Sequence, residues 1–232
     1  MTEWMGSTHT VLDYGFVRLV DSMAKDISVV NSARVSFGKS TESMTPADVQ
    51  LIRFLMEHRH GTPFEHNSFM FHVKCPIFVA REWFRHRMGS FNEYSGRYSE
   101  MIEEFYVPDW EDMRTQTGKP GSYTFEPIDD EAVCAHIDSV MTNAYESAWN
   151  TYQDLLSQGL AKELARSVIP VGAYTEFYWT VNARSLMNFL SLRLGQDAQH
   201  EIRQFAAACE TFFEDKMPIT HGFWKDNGRV AP

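Results

Sequence analysis

Between Arg81 and Arg97, four arginines (Arg81, Arg85, Arg87 and Arg97) stand with two carboxylates, Glu82 and Glu93, and with His86, Ser90, Asn92 and Ser95 interleaved. Arginine offers a planar fork that binds phosphate or carboxylate through paired hydrogen bonds, and it stays charged when desolvated. The small polar residues between the arginines add hydroxyl, amide and backbone N–H donors of the kind that cradle anions. The plainer reading of such a cluster is a solvated basic face paired with nearby acids. The density of small donors favours a binding loop for a phosphorylated small molecule instead.

A second polar cluster, Arg166, Asn182, Arg184, Asn188 and Arg193, is spread over the last third of the chain. Asn182, Ser185 and Asn188 recur three apart and Arg184 pairs with Asn188 at i, i+4, so one helix presents a polar face among Leu186, Met187, Phe189 and Leu190. A solvent-facing stripe and half of a binding site account equally well for that face. Arg193, inside the short apolar run Ser191–Leu194, fits the site better.

His58, His60, His66 and His72 form a third group, four of the nine histidines. Imidazole is the commonest metal ligand, but the spacing matches no zinc template, so no metal is expected. His72 falls on the polar side of a strand, where a lone histidine is usually structural. Cys75, Cys134 and Cys209 are odd in number and widely spaced, which argues against a disulfide framework and reads as small buried hydrophobes. There is no phosphate-binding P-loop, no GxGxxG after a strand and no GxSxG elbow, so any nucleotide must be held by arginines and loop amides.

The chain has 232 residues, 44% of them hydrophobic and 22% charged, which fits one domain with a substantial core. Lys+Arg of 21 against Asp+Glu of 31 gives a net charge of −10, a field that repels nucleic acid. No apolar run approaches the roughly 18 to 20 residues of a membrane helix. Met1 to Thr10 carries Glu3 and no basic residue, so it does not read as a signal segment, and a cytoplasmic address is expected.

Several elements position these residues. Thr10 to Val20 reads as one strand with Gly15 as a bulge, followed by a short helix near Ser28 to Val35. Thr45-Pro46-Ala47-Asp48 opens a helix, with Thr45 as cap, Pro46 at the first position and Asp48 favouring the N-terminal dipole. Its stripe is Val49, Ile52, Leu55 and Met56. Asn67 to Cys75 alternates as a strand, and Ile77 to about His86 forms a short helix that leads into a loop over Gly89 to Gly96. Residues 109 to 128 read as a mobile surface loop. A long helix over Asp129 to Ser157, a short one over Ala161 to Ile169, a strand over Tyr174 to Val181 and helices over Ala183 to Leu194 and Asp197 to Lys216 complete the chain. Without regular βαβ alternation, this mixture points to an α+β fold with an antiparallel sheet flanked by helices.

Arg85-His-Arg-Met-Gly-Ser-Phe-Asn-Glu-Tyr-Ser-Gly-Arg97 resembles the RHRxxSxNExSxR element of the flavin-dependent thymidylate synthases at every fixed position. Thr62-Pro-Phe-Glu-His66 and Thr180-Val-Asn-Ala-Arg-Ser-Leu-Met-Asn-Phe-Leu190 are similar to two further blocks of that family, in the same order, and the resemblance spans most of residues 11 to 205. It implies methylation of dUMP to dTMP with 5,10-methylenetetrahydrofolate as carbon donor and FAD reduced by NADPH. It also implies a single α+β domain over residues 1 to 232 and a homotetramer with active sites between subunits.

By the same resemblance, Thr62, Arg85, His86, Arg87 and Glu93 contact FAD, with Asn182, Ala183, Arg184 and Asn188 supplied by another chain. Glu82, Trp83, Phe84 and Arg85, then Glu93, Tyr94, Ser95, Gly96 and Arg97, with Arg166 and Arg193, hold the nucleotide. His60 and Tyr98 match positions on the folate and nicotinamide side. Glutamine is common in the family where Glu82 stands, and a carboxylate cannot donate as an amide does. Arg193 is expected to stabilise charge on the uracil, and Ser95 to hydrogen-bond rather than attack. The rival reading, an RNA- or nucleic-acid-binding module, rests on the arginine loop and on Trp83, Phe84 and Phe91 as stacking surfaces.

Overall fold

The structure is a computed structural model and describes residues 7–232. The reading of Met1 to Thr10 lies outside the described residues as far as Gly6.

Alternating apolar residues build the sheet. β1 (Thr8–Val11), β2 (Gly15–Met23), β3 (Ser68–Pro76), β4 (Ser90–Glu93) and β7 (Tyr174–Asn182) give a five-stranded sheet in the order β1-β2-β3-β7-β4. β1 pairs antiparallel with β2, and β2 with β3, with Val17 opposite Val73 and Leu19 opposite Phe71; the register shifts between Leu19 and Asp21. The expected strand over 10 to 20 is thus a tight hairpin. Leu12 takes a positive φ of 59° in its turn, and a side chain on Gly15 would strike the Val11 carbonyl, so Gly15 starts β2 rather than forming a bulge.

The helices are α1 (Asp26–Arg34), α2 (Pro46–Glu57), α3 (Thr62–Glu65), α4 (Ile77–Trp83), α5 (Glu131–Ser157), α6 (Lys162–Ala165), α7 (Ala183–Arg193), α8 (His200–Lys216) and α9 (Pro218–Asp226). Thr45 caps α2 as expected, and Asp48 does more than favour the dipole, since the two form a capping box: the Thr45 backbone N–H donates to Asp48 Oδ2 at 2.8 Å and the Thr45 hydroxyl at 2.6 Å. Asp130 caps α5 by accepting from the Ala132 and Val133 N–H groups.

Three expectations change. The helix expected to reach His86 stops at Trp83, and the stretch expected to be a loop over 89 to 96 contains the edge strand β4. The 109 to 128 segment is not irregular: β5 (Arg114–Lys119) and β6 (Ser122–Pro127) pair as an antiparallel hairpin whose strands are almost wholly exposed. Helix α9 was not foreseen.

The chain divides into two compact units. The first comprises the chain up to Lys74, Glu82–Asn92 and Glu176–Pro232, and the second Cys75–Arg81 and Glu93–Thr175. The core of the first is aromatic: Trp83 is fully buried and meets Phe177, Trp179, Phe189 and Phe205 at ring distances of 4.8 to 6.2 Å. Each such side chain contributes about 1.5–3 kcal/mol of burial, with aromatic pairing adding to it. In the second, Tyr152 is fully buried and its hydroxyl accepts the Met101 N–H at 3.0 Å. All three cysteines are free and buried, as expected.

Candidate active site

In the first unit the two motif blocks meet. Helix α4 ends at Trp83, whose ring anchors it in the core, and two turn bonds (Arg85 N–H to Glu82 O, 3.2 Å; His86 N–H to Trp83 O, 2.9 Å) swing the chain outward. Glu82 and His86 thereby come to the last turn of α7, where Arg193 donates from Nε to His86 Nε2 at 2.9 Å and lies 3.8 Å from Glu82 Oε2 through Nη1. An arginine N–H needs the lone pair of His86 Nε2, so the neutral ring carries its proton on Nδ1. Burial, with the Arg193 charge added, lowers the His86 pKa to about 4, keeping the ring neutral at physiological pH. Glu82 Oε2 is buried and accepts no hydrogen bond from the described residues.

The other end of α7 is equally ordered. The Asn182 side chain accepts from Ser185 N–H as N-cap, and Ala183 N–H donates to the Asn67 carbonyl at 2.8 Å. The solvent-stripe reading therefore fails for Asn182. Arg184 donates to Glu65 Oε1 and to the Pro232 carbonyl, both at 2.6 Å. Its side chain passes over Gly61, where any Cβ would collide with the guanidinium. Asn188 is exposed and lines a cleft of about 600 Å³ with Ser191, Leu192, Glu210, Arg229 and Val230. Thr62 is exposed at the start of α3, and His60 is exposed edge-on to Phe54 at 5.6 Å. Arg85 and Arg87 are exposed.

Trp83, Phe84 and Phe91, the stacking surfaces of the rival reading, are packed within the fold. Trp83 is buried, so its indole reaches neither a nucleotide nor RNA, and a substrate contact at that position is left to the backbone. Phe84 packs on Phe91 and Phe177, each at 5.0 Å.

The second unit holds the rest of the loop. Glu93 accepts the Thr175 hydroxyl at 2.8 Å, and the Tyr94 hydroxyl donates to the Glu100 carbonyl at 2.5 Å. The Ser95 carbonyl takes N–H bonds from Tyr98 and Ser99, folding 95–99 into a turn, while its hydroxyl accepts the Arg97 N–H at 3.4 Å. Gly96 is buried against Arg166, whose Cδ would lie 3.1 Å from an added Cβ. Arg97 donates to Glu163 at 3.4 Å and lies over the exposed Tyr98 ring. The fold therefore brings Arg166 to the Ser95–Arg97 turn.

Sequence reasoning missed Glu65, the partner of Arg184, although it sits inside the Thr62–His66 block. It also missed Glu210 and Arg229, which join at 2.9 Å beside Asn188's cleft and carry no local signal. His72 is structural as expected: Nε2 meets Glu176 Oε2 at 2.9 Å and the ring stacks on Tyr178. Burial pushes the thiol pKa of Cys75 and Cys209 upward, which removes both as nucleophiles at neutral pH.

A family model described as thymidylate synthase complementing protein matches residues 18–219. The chain is 49% identical over 213 residues to a flavin-dependent thymidylate synthase of Thermosipho africanus, covering 91% of each chain. It is 48% identical over 211 residues to that of Thermotoga neapolitana, again covering 91% of each. Among solved structures it is similar to the UMP/dUMP methylase PolB of Streptomyces cacaoi bound with 5-Br dUMP, at 42% identity and a TM-score of 0.88, covering 97% of this chain and 100% of that one. The same methylase bound with 5-Br UMP matches at 43% identity. The chain belongs to the flavin-dependent thymidylate synthase family, and its α+β fold is that of the family.

Proposed function

We propose that this protein reductively methylates dUMP to dTMP, with 5,10-methylenetetrahydrofolate as carbon donor and FAD, reduced by NADPH, as hydride source. The observation that carries the reading is the 2.9 Å bond from Arg193 to His86, which joins the two motif blocks at one place. When bound, FAD supplies the hydride and the folate the carbon.

The residues present fit a flavin. Arg184 is already oriented by two oxygen acceptors, the kind of partner a flavin phosphate offers. The neutral His86 keeps an Nδ1–H to donate, and Arg85, Arg87, Thr62 and Asn188 are exposed for contact. Asn182, Ala183 and Glu93 complete the flavin set, and His60 and Tyr98 face the folate and nicotinamide. Arg85, Arg97 and Arg166 hold the dUMP phosphate with donors near Ser95 and Gly96. Arg193 offers its charge to the uracil, where negative charge grows as C5 becomes nucleophilic.

The reading includes one domain over residues 1 to 232, a homotetramer with shared active sites, a cytoplasmic address and no nucleic-acid or membrane partner. No helix among the described residues is long and apolar enough to cross a membrane. Light scattering on a sizing column tests the tetramer.

The purified protein is expected to be yellow with oxidised flavin and to release tritium from [5-³H]dUMP when given NADPH and methylenetetrahydrofolate. UMP belongs in the same assay, because a structural neighbour is named for both nucleotides. A colourless protein that takes up no added FAD overturns the reading.

A further inference from the structure

Arg184 is half exposed yet held from two sides. Its side chain and that of Glu65 are 45% and 38% exposed, and an ion pair so open to water contributes little stability. The guanidinium nevertheless donates from Nη1 to Glu65 Oε1 and from Nε to the Pro232 carbonyl, each at 2.6 Å. Among the described residues Nη2 has no partner, which leaves one edge of the fork to a ligand.

The holder on the Pro232 side carries backbone strain. Gly228 and Arg229 follow one another at φ 67° and 60°, a left-handed conformation that is costly for arginine. Four contacts keep Arg229 there. Its N–H donates to the Trp224 carbonyl at 2.8 Å, and its carbonyl accepts the Ser191 hydroxyl. Its guanidinium lies 4.9 Å over the Trp224 ring, and Nη1 pairs with Glu210 at 2.9 Å. The turn sends segment 228–232 back along α7 from Ser191 to Arg184. Strain that its surroundings hold in place is a mark of function.

We propose that Glu65 and the segment anchored by Arg229 are positioning elements for the flavin: together they clamp Arg184, so that its remaining edge meets the cofactor in one orientation. A long side chain fixed beforehand need not be ordered when the ligand arrives, and that saving appears as affinity. The inference rests on the reading above that Arg184 touches FAD.

The test titrates FAD into the flavin-free full chain and follows quenching of flavin fluorescence. Glu65→Ala and Arg229→Ala are each expected to weaken FAD binding about three- to tenfold, the cost of ordering one long side chain on binding. In the Arg184→Ala background both losses should vanish, because nothing is left to position. A merely structural role would weaken binding alike in both backgrounds. Glu65→Gln keeps an acceptor oxygen for Nη1 and should recover most of the lost affinity. Unchanged affinity in either alanine variant, or a loss that persists without Arg184, overturns the clamp and leaves the flavin reading standing. Tighter binding in Glu65→Ala also overturns it, since Glu65 would then compete with the flavin for the arginine. Unchanged affinity in Arg184→Ala alone removes the flavin contact of Arg184 and the clamp with it. Absence of FAD uptake by the unmodified protein overturns both readings. Should an alanine variant fail to fold, Glu65→Asp, which withdraws the acceptor by one methylene, or Arg229→Lys, which loses the planar fork, takes its place in the same cycle.

Discussion

Arg193 stands between two groups that make opposite demands on it. His86 takes one N–H and forfeits its own protonation in return, while Glu82 offers a countercharge just beyond hydrogen-bond reach. A guanidinium held this way is oriented before substrate arrives, which is the form of electrostatic preorganisation that costs least at the moment of reaction. Arg193→Ala is therefore expected to cut turnover by about 10²–10³, the usual loss for one preorganised donor. Flavin affinity should change far less, and steady-state kinetics beside a flavin titration would show the split. Near-normal turnover would refute the role. Ser95 makes the opposite case. Among the described residues no base is hydrogen-bonded to its hydroxyl, which accepts the Arg97 N–H at 3.4 Å, so it lacks what activates a serine nucleophile. Ser95→Ala should keep measurable turnover, reduced roughly tenfold as one lost hydrogen bond implies. Complete inactivity with dUMP still bound would make Ser95 the nucleophile.

At the scale of elements, the short strand β4 turns the arginine loop into a defined surface. The approach to it runs through Gly89, where an added Cβ would lie 2.8 Å from the Trp179 indole nitrogen and 2.9 Å from the Thr180 carbonyl. A buried indole and a strand backbone cannot step aside, so Gly89→Ala should destabilise by about 1–3 kcal/mol and lower dUMP affinity. Chemical denaturation with nucleotide titration checks both effects. β4 also marks the limit of what local pattern reveals. Apart from Phe91 its residues Ser90-Phe-Asn-Glu93 are polar, they lack period and they pair with a strand some eighty residues later, so nothing nearby announces them. The start of α2 at Thr45 and Pro46 and the alternation of β3 were legible because their causes lie within a few residues. The site divides along the same line. The arginines and asparagines could be read from type and spacing, and the resemblance assigned them ligands. The bonds from Arg193 to His86 and from Arg184 to Glu65 and Pro232 join positions 107, 119 and 48 residues apart and exist only in the fold.

Over the whole molecule, the lowered ionisations push stability in one direction on acidification. Burial and Arg193 lower His86 to about 4 from an ordinary 6.5, so between those values the folded state binds fewer protons than the unfolded one. Stability from this group is complete above pH 6.5 and is lost as pH falls towards 4. Three carboxylates add a second stage. The Thr45 hydrogen bond lowers Asp48 and the His72 bond lowers Glu176. Burial pushes Glu210 up, but the bonds from His221 and Arg229 outweigh it, and its pKa too is lowered. Their contribution is complete above the ordinary carboxylate range and is lost as pH falls through the lowered values. The unfolding free energy should therefore decline in two steps on acidification. His86→Gln can still accept from Arg193 but does not titrate, so the variant should lose the upper step and keep the lower. Urea denaturation of both proteins at about pH 7, 5.5, 4.5 and 3.5 separates the two stages. Identical slopes for the two proteins between pH 6.5 and 4.5 would show that His86 is not held neutral in the folded state.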